Sequence, residues 1–374
     1  MESVISKIAP PRFREATFED YEQVSALESR YGLQAKSYEE WTHLWLHNPV
    51  YLGLPEWPIG WVCENEDNEI VGCIANIPLG YEFGKRTLVA ATSRAFVVDS
   101  HYRCYAFLLL SHFFAQKNVD LFVNTTVNAK ASVLQGLFRA SRVPSGTWNR
   151  SAFWITDYRA FAASLLSRKE MPSGKTASYP LSAGLFLRDM LASSALRNRR
   201  NGTEVEFCSQ FDARFEGFWQ RARRNSPGLL LATRSQEVLN WHFKHALAKN
   251  KAWIATISQG GELVAYAVFS RQDNPSYQLK RMRLVDFQTC TGQTELLRPL
   301  LLSAVERCQH EDVHMLEAMG FGSEKKRVID SMAPHCRELG SWRYFYKTND
   351  QELAGSLRDP GVWDTTCFDG DASL

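Results

Sequence analysis

A short polar turn between two apolar segments is the part of this sequence best suited to bind a charged ligand. The apolar stretch Thr92–Val98 runs into Asp99-Ser100-His101-Tyr102-Arg103, and a second apolar stretch then continues to Phe114. This pattern predicts a strand, a turn and a helix. Because the first turn of a helix has unpaired N–H groups and lies at the positive end of the helix dipole, it favours anions. The turn is therefore predicted to hold a phosphate-bearing cofactor.

Side chains able to move a proton are scarce around this turn. The predicted strand over Val89–Val98 contains no carboxylate, and we expect Asp99 to cap the helix or to pair with Arg103. The polar run Asn124–Thr126, on the next predicted strand, could orient a substrate or a water molecule that carries a proton. The catalytic residues are thus left unknown, with Asn124 as a candidate.

Length and composition describe a globular protein of two domains. The chain has 374 residues, 45% of them hydrophobic, and contains no run of about 18 apolar residues, so no membrane span is expected. The N-terminus lacks the apolar core of a secretory signal, and the eight cysteines are scattered without a CxxC pair, which favours a reducing cytoplasm over a disulfide framework or a zinc site. The net charge of +2 gives no support for nucleic-acid binding, and the runs Arg197–Arg200 and Arg221–Arg224 are interpreted as solvated helix ends.

Local signals divide the first half into alternating helices and strands. Ser37-Tyr38-Glu39-Glu40 is a capping box that opens a helix, and polar turns at Asp67-Asn68 and Gly84-Lys85 separate three predicted strands. Strands followed by helices in this order are typical of an α/β unit. After the capped helix we predict a loop at Pro49–Pro58, strands at Gly60–Glu64 and Glu69–Ile77, a strand ending at Val98, a helix from about Tyr105, a strand at Asp120–Val127, a helix from Asn128 and a last strand at Ala152–Thr156.

The second half repeats this order. Ser235–Phe243 parallels the helix start at Ser37, and Trp253–Val268 parallels the hairpin Trp61–Ala75. The expected continuation is a strand at Arg283–Gln288, a helix at Thr294–Cys308, a strand at Val313–Met319 and a strand at Ser341–Lys347 that closes the sheet. Such a repeat predicts two copies of one α/β unit. We place the first domain at 1–160, a linker with a connecting helix at 161–200, the second domain at 201–348, and a polar tail at 349–374 that wraps around the protein or is mobile.

Two motifs in the first half resemble those of the GNAT acyltransferases. The family's turn reads V-x-P-x-Y-R-G-x-G-x-G/A, and Val98–Leu108 agrees with it at the valine, the tyrosine and the arginine. It departs from the motif with Ser100 at the proline, Cys104 and Ala106 at two glycines, and Leu108 at the last small residue. A second family motif, N-x-x-A-x-x-L-Y-x-x-x-G-F, is met at Asn128, Ala131 and Leu134. Together with the order of elements, the resemblance implies an α/β fold of two tandem GNAT-like domains, each a mixed, mostly antiparallel sheet flanked by helices.

The resemblance also implies where a cofactor binds. In that family an acyl-CoA lies between the fourth and fifth strands, its pantetheine pairs with the fourth strand, and its pyrophosphate sits on the turn before the next helix. Gln135 stands where the family often has a tyrosine that protonates the leaving thiolate, which makes it a second catalytic candidate beside Asn124. No metal is expected. The residues implied to bind acetyl-CoA or another acyl-CoA are Phe96, Val97, Val98, Tyr102, Arg103, Cys104, Tyr105, Ala106, Phe107, Asn128 and Ala131.

The implied activity is N-acyl transfer, in which an amine attacks the acyl-CoA thioester directly in a ternary complex. The acceptor would be the amine of a small molecule or a peptide, with no nucleic-acid or membrane partner and with a homodimer left open. Cys290–Thr294 fills the equivalent turn of the second half without an arginine, so this half is expected to have lost cofactor binding and to supply substrate walls or an interface. Two alternatives stay open: a non-catalytic acyl-CoA-binding or scaffold protein, and a FemX-like aminoacyl transferase, which the near-neutral charge disfavours because tRNA binding needs a basic surface.

Overall fold

The computed structural model describes residues 9–146, 148–169, 174–192 and 202–374, and the basic run Arg197–Arg200 lies outside these ranges. Within them the chain forms two mixed β-sheets, mostly antiparallel and flanked by helices. This architecture confirms the predicted fold class. No helix in this part of the chain combines the length and the apolar character needed to cross a bilayer.

The first sheet is built mainly from the first half of the chain. Its strands are β1 (Arg12–Glu15), β2 (Gly60–Glu64), β3 (Ile70–Phe83), β4 (Arg86–Val98), β5 (Leu121–Val127), β6 (Ser141–Arg142), β9 (Leu230–Ala232) and β15 (Arg343–Lys347). They lie in the order β1-β2-β3-β4-β5-β15-β6, with β9 paired to one end of β3. The strand pairs of this sheet are antiparallel except for β4 with β5.

The second sheet repeats the same arrangement. Its strands are β7 (Arg150–Ile155), β8 (Glu206–Cys208), β10 (Ala252–Gln259), β11 (Glu262–Arg271), β12 (Arg281–Thr289), β13 (Met315–Met319) and β14 (His335–Glu338). They lie in the order β14-β7-β13-β12-β11-β10-β8, and the parallel pair is β12 with β13. Strands β10 to β13 therefore follow the pattern of β2 to β5, in agreement with the repeat in the sequence.

Helices cover the faces of both sheets, and local capping signals set where several of them begin. Ser37 and Ser235 cap α2 and α9, because each hydroxyl accepts a hydrogen bond from the backbone N–H three residues later. The predicted loop at Pro49–Pro58 starts with a short helix, and the run at 221–224 lies at the end of α8 as predicted. The helices are α1 (Tyr21–Arg30), α2 (Tyr38–Leu46), α3 (Pro49–Leu52), α4 (Ala106–Phe114), α5 (Ala129–Leu137), α6 (Tyr158–Arg168), α7 (Gly174–Ala192), α8 (Ala213–Asn225), α9 (Gln236–Ala248), α10 (Leu297–His310), α11 (Ser323–Met332) and α12 (Gln351–Ser356).

Each sheet receives a strand from the other half of the chain. We expected the strand at Ala152–Thr156 to complete the first sheet and Ser341–Lys347 to close the second, and both assignments are wrong. β7 pairs instead with β13 and β14 of the second sheet, and β15 pairs with β5 and β6 of the first. The residue types mark a segment as a strand but do not specify the sheet it joins. The exchange ties the two sheets together, because neither can separate without losing a strand.

The segment between the two halves is more regular than a linker. We expected a linker and a connecting helix at 161–200, whereas α6 begins at Tyr158 and packs against α7. The Tyr158 hydroxyl donates to Asp189 at 3.0 Å, and the same carboxylate lies 2.8 Å from Nε2 of His335 on β14. The two helices are thereby fastened to the edge of the second sheet.

The tail at 349–374 wraps around the protein, which is one of the two predicted alternatives. Residues 365–370 are buried, and the side chains of Cys367 and Phe368 belong to the main hydrophobic core. Beyond them, Asp371–Ser373 forms a short 3-10 helix that contacts β4 and β5 of the first sheet. The tail therefore runs from the second half of the molecule back to the first.

Candidate functional site

The parallel strands β4 and β5 of the first sheet touch at one end and then separate. Their pairing consists of Ala90 with Leu121 and Ala91 with Phe122. Beyond these pairs, β4 continues along β3 while β5 continues along β15. A V-shaped opening, which we name the first cleft, separates residues 92–98 from residues 123–127. Among the described strands none pairs with residues 92–98 on the cleft side, so this edge is available to an extended ligand.

The narrow end of the first cleft is bridged by the two predicted catalytic candidates. The Asn124 side-chain oxygen accepts from the Ser93 N–H at 3.0 Å and from its hydroxyl at 2.7 Å. The Asn124 amide group donates to the side-chain oxygen of Gln135 at 3.4 Å, and both residues are buried. These contacts hold β4, β5 and α5 at a fixed spacing. Because a carboxamide does not take up a proton near neutral pH, proton transfer needs another group.

A β-bulge changes the course of β4 inside the first cleft. The register with β3 shifts between Cys73 and Ala75, and Ala95 takes a φ of 52°. This conformation is uncommon for a residue with a Cβ, and together with the register shift it marks a bulge that redirects the strand. After the bulge, Val97 is buried with residues of α1, whereas Phe96 and Val98 are half-buried against the main core. The predicted cofactor residues of β4 therefore lie on both faces of the sheet.

The turn after β4 carries Arg103 on its surface. Ser100–Tyr105 forms a 3-10 helix that leads directly into α4. The Asp99 carboxylate accepts from the His101 N–H at 3.4 Å, as a cap, and pairs with Arg30 at 3.1 Å. The predicted cap is confirmed, and the predicted pairing of Asp99 with Arg103 is wrong. Arg103 is exposed and makes no hydrogen bond or ion pair with the residues that the structure describes.

The other predicted cofactor residues surround this turn and the start of α5. Cys104 and Phe107 are exposed, and Tyr102, Tyr105 and Ala106 are half-buried. Phe107 stacks on Phe138 with 4.7 Å between ring centroids. Asn128 caps α5 by accepting from the Ala131 N–H at 2.9 Å. Because α4 and α5 follow β4 and β5, these groups border the mouth of the first cleft, and their role in binding stays a prediction.

A cavity between the two halves of the molecule opens beside the first cleft. Its volume is about 440 Å³, and it meets the cleft at Arg94, Ala95 and Thr126. The facing walls come from α2, from α9 and from tail residues 371–374. A ligand in the cleft and a second ligand in the cavity would therefore meet at the bulge of β4.

Asp371 places a carboxylate where the cleft and the cavity join. It accepts from the Thr125 N–H at 3.1 Å, from the Thr125 hydroxyl at 2.6 Å and from the Thr126 hydroxyl. The polar run at 124–126 was recognised in the sequence, but its partner was not, because Asp371 lies 246 residues after Thr125. The aspartates of the tail were visible as a polar composition, which gives no sign of where each one lies.

Helices α2 and α9 meet at equivalent residues of the repeat, His43 and Trp241, each six positions after its capping serine. His43 Nε2 lies 2.9 Å from the Trp241 carbonyl oxygen, and Trp241 Nε1 donates to the His43 carbonyl oxygen at 3.0 Å. A carbonyl only accepts, so His43 Nε2 carries the hydrogen and Nδ1 is left as an acceptor. This Nδ1 is buried with no hydrogen-bond partner in the described structure. Burial lowers the pKa of His43, which is therefore neutral at pH 7.

The corresponding parallel pair of the second sheet also diverges, but its opening is filled. β12 and β13 pair over residues 281–284 and 315–318 and then separate. Tail residues 364–369 occupy this opening, which we name the second cleft. The Cys367 thiol donates to the Met319 carbonyl oxygen at 3.3 Å, which places the tail at the end of β13.

The edge of β12 in the second cleft is also engaged by a side chain. Lys325 Nζ donates to the Phe287 carbonyl oxygen at 2.8 Å and pairs with Asp364 at 2.7 Å. A pantetheine would have to displace this buried lysine to reach the strand. The turn Cys290–Thr294 that follows offers no arginine. These contacts give a physical reason to expect no cofactor in the second half.

A buried ion network fixes the tail in the second cleft. Arg234 Nε and Nη2 donate to the two oxygens of Asp286 at 2.9 and 3.1 Å, and Nη2 also donates to Asp369 at 2.9 Å. The Thr366 hydroxyl donates to Asp286 at 2.9 Å. Burial acts to raise the pKa of Asp286, but the charge and hydrogen bonds of Arg234 outweigh it and keep this pKa below its usual value.

Comparison with known proteins identifies the fold. No protein-family model matches the sequence, and no curated protein matches it significantly. N-myristoyltransferase from Saccharomyces cerevisiae, solved with bound myristoyl-CoA and inhibitors, aligns over 92% of this chain and 82% of its own, with a TM-score of 0.58 and 11% identity. A GCN5-related N-acetyltransferase from Anabaena variabilis ATCC 29413 aligns over 91% of this chain and 73% of its own, with a TM-score of 0.54 and 12% identity. One from Kribbella flavida aligns over 92% of this chain and 72% of its own, with a TM-score of 0.53 and 13% identity. At these identities the likeness is one of fold, and the chain has the fold that GNAT acetyltransferases and N-myristoyltransferase share.

Proposed function

We propose that the protein is an acyl-CoA-dependent N-acyltransferase, in which an amine attacks the thioester directly in a ternary complex. The observation that carries this proposal is that the first cleft is open along residues 92–98 and leads into the cavity, whereas the second cleft is filled by the tail. A cofactor and an acceptor can therefore approach the bulge of β4 from two sides. The neighbours in fold include a structure with bound myristoyl-CoA, which supports the choice of cofactor.

The acyl-CoA is proposed to lie along β4 in the first cleft. Its pantetheine would pair with the free edge at 92–98, and its pyrophosphate would lie on the N–H groups of the turn and on Arg103. The acyl group is acetyl or a longer chain. Backbone N–H groups near Val98 would polarise the thioester carbonyl, as the resemblance to the family implies.

Asp371 is proposed as the group that accepts the proton. The amine nitrogen forms a bond to the thioester carbonyl carbon, and the C–S bond then breaks to release the CoA thiolate. The ammonium proton of the tetrahedral intermediate passes to the Asp371 carboxylate, and the thiolate is protonated from solvent. Thr125 and Thr126 hold this carboxylate, and Asp371 lines the cavity together with Arg94, Ala95 and Thr126 of the cleft. The acceptor, a small molecule or a peptide amine, would enter through the cavity.

Two measurements test the proposal. Thermal unfolding with acetyl-CoA and with longer acyl-CoAs tests binding, and release of free thiol across a panel of amines tests transfer. An acyl-CoA present at about 100 times its Kd should add about 2.7 kcal/mol of stability. Thiol release that requires both an acyl-CoA and an amine would support the enzyme. No shift with any acyl-CoA would contradict the proposal, and a shift without thiol release would favour a non-catalytic acyl-CoA-binding protein.

A further inference from the structure

The wall of the interdomain cavity carries more positive than negative side chains. The basic ones are Lys36, Arg94, Lys249, Lys251 and Arg271, and the acidic ones are Glu40 and Asp371. Glu40 pairs with Lys249 at 2.7 Å and Arg271 pairs with Asp273 at 2.9 Å, which leaves Lys36, Arg94 and Lys251 against the single carboxylate of Asp371 on this wall. The cavity therefore presents excess positive charge to whatever enters it.

Two of these cations, beside the first cleft, lack a full partner. Lys36 Nζ makes no hydrogen bond or ion pair within the described ranges, although the residue is half-buried. Arg94 Nη1 lies 3.6 Å from Glu28 Oε1, and both atoms are buried without a hydrogen-bond partner among the described residues. Burial and the charge of Arg94 lower the pKa of Lys36 to about 8. An anion placed between Lys36 and Arg94 would offset the free-energy cost of burying each of these cations without a full ion-pair partner.

The wall of the cavity built from α2 and α9 contains two histidines, each with a ring nitrogen that lacks a hydrogen-bond partner among the described residues. His43 is 5% exposed and its Nδ1 has no partner in the described structure, and the same is true of Nε2 of His245, whose ring centroid lies 4.5 Å from that of His43. Burial lowers the pKa of both histidines, so both are neutral at pH 7. These two histidines therefore add no positive charge to the wall.

Building on the proposed function, we propose that the acceptor is an amine that carries its own oxyanion, a carboxylate or a phosphate, and that Lys36 and Arg94 bind this group. Arg94 directly precedes Ala95 at the bulge of β4, so an oxyanion held there anchors the acceptor beside the thioester. The amine of the same molecule then lies in the space bordered by Asp371. A neutral amine would gain nothing from the two cations, which makes them the basis of substrate choice.

Amine pairs with and without the oxyanion test this assignment. Glycine, leucine and phenylalanine are compared with their carboxamides, and phosphoethanolamine is compared with ethanolamine. Each compound is used as an acceptor with acyl-CoA and, separately, as a ligand in calorimetry without acyl-CoA. We expect the anionic member of at least one pair to bind and react about tenfold better or more. The pair that responds distinguishes a carboxylate from a phosphate.

Variants locate the effect within the cavity. Lys36→Met should remove most of the preference by raising KM for the anionic acceptor while kcat is retained, and Lys36→Arg should keep the preference. Lys244→Met is the matched control, because Lys244 is exposed on α9 and does not line this cavity. It should leave the preference unchanged.

Three results would overturn the inference. They are equal or better binding by the neutral member of every pair, no binding by any anionic compound in calorimetry, and an equal loss for both members of a pair in Lys36→Met. Calorimetry also separates this inference from the proposed function. Anion binding that depends on Lys36, found in a protein that releases no thiol, would support the oxyanion site while contradicting the transferase.

Discussion

The first and second clefts are made by the same strand arrangement, but the first is open along residues 92–98 and the second is filled by the tail. In each, a parallel pair of strands separates and the outer strand leads through a turn into a helix. Within the described residues, the first cleft keeps a strand edge that pairs with no other strand and an arginine on its turn that has no partner. The second contains tail residues 364–369 and a buried lysine bonded to its strand. The comparison teaches that the fold alone does not make a cofactor site, because the same opening can be filled by the chain itself.

The tail at 364–371 contacts both clefts. Asp369 is held by Arg234 in the second cleft, and Asp371, two residues later, is held by the threonines of β5 in the first. The tail that fills the second cleft thereby carries the proposed proton acceptor to the first. Under the proposed function, the second half anchors the tail and supplies part of the wall of the cavity where the acceptor is proposed to bind.

The largest effect is expected from breaking the anchor in the second cleft. Asp286→Ala removes the bidentate partner of Arg234 and leaves the buried guanidinium with one carboxylate, Asp369, beside the neutral acceptors Ala232 O and Thr366 Oγ1. The free energy of unfolding in urea should fall by about 3 to 5 kcal/mol. Glu311→Ala, which breaks the exposed pair with Arg307, is the control and should change stability little. A similarly small loss for Asp286→Ala would show that the network does not hold the tail.

The next effect concerns the tail in the first cleft. Asp371→Asn keeps the shape of the side chain and one oxygen acceptor but cannot take up a proton, so kcat should fall about 100-fold. Acyl-CoA affinity, measured by thermal shift, should not change. Asp359→Asn, at an exposed cap of the same tail, should leave kcat unaltered. An unchanged kcat in Asp371→Asn would exclude this residue as the proton acceptor.

The turns of the two clefts give a third, smaller contrast. Arg103→Glu replaces a cation at the proposed pyrophosphate with an anion and should cost about 1.5 to 3 kcal/mol of binding, or roughly 10- to 150-fold in the Kd for acyl-CoA. Thr291→Glu makes the corresponding change in the turn of the second half and should leave the Kd as it is. If both variants bind acyl-CoA like the natural chain, the pyrophosphate does not lie on this turn.

Local signals in the sequence predict much of the fold. The caps at Ser37 and Ser235, the hairpin turn at Gly84 and the strand–turn–helix around Asp99 depend on neighbours a few residues away, so residue type and spacing determine them. The order of elements and the repeat follow from the same short-range pattern. The turn that borders the first cleft was therefore identified without any knowledge of the tertiary structure.

Long-range pairing could not be predicted in the same way. β7 and β15 have the residue types of strands, but each joins a sheet formed largely by the other half, and no local signal distinguishes the two choices. The contact between Asp371 and Thr125 and the approach of Lys36 to Arg94 likewise depend on the tertiary arrangement. The acceptor side of the candidate site is for this reason visible only in the structure.

The smallest effect tests the charge of the cavity through pH. The pKa of Lys36 is lowered to about 8 by burial and by Arg94, and its other charged neighbours are Glu40, Glu28 and Lys249. Lys36 is a cation below this pKa. A bound anion would act in the opposite direction and raise the pKa of Lys36. The KM for an anionic acceptor should therefore rise as pH passes through about 8, by up to about tenfold one unit above it, because the charged fraction of Lys36 falls to about a tenth.

The same pH series in Lys36→Arg is the control for this rise. A guanidinium stays charged throughout the range, so the rise in KM should disappear although the acceptor and its own amine pKa are unchanged. A rise of equal size in both proteins would assign the pH dependence to the acceptor amine and remove Lys36 from the binding site. A rise confined to the natural chain would place an unpaired cation of the cavity in contact with the acceptor, a feature for which the filled second cleft leaves no room.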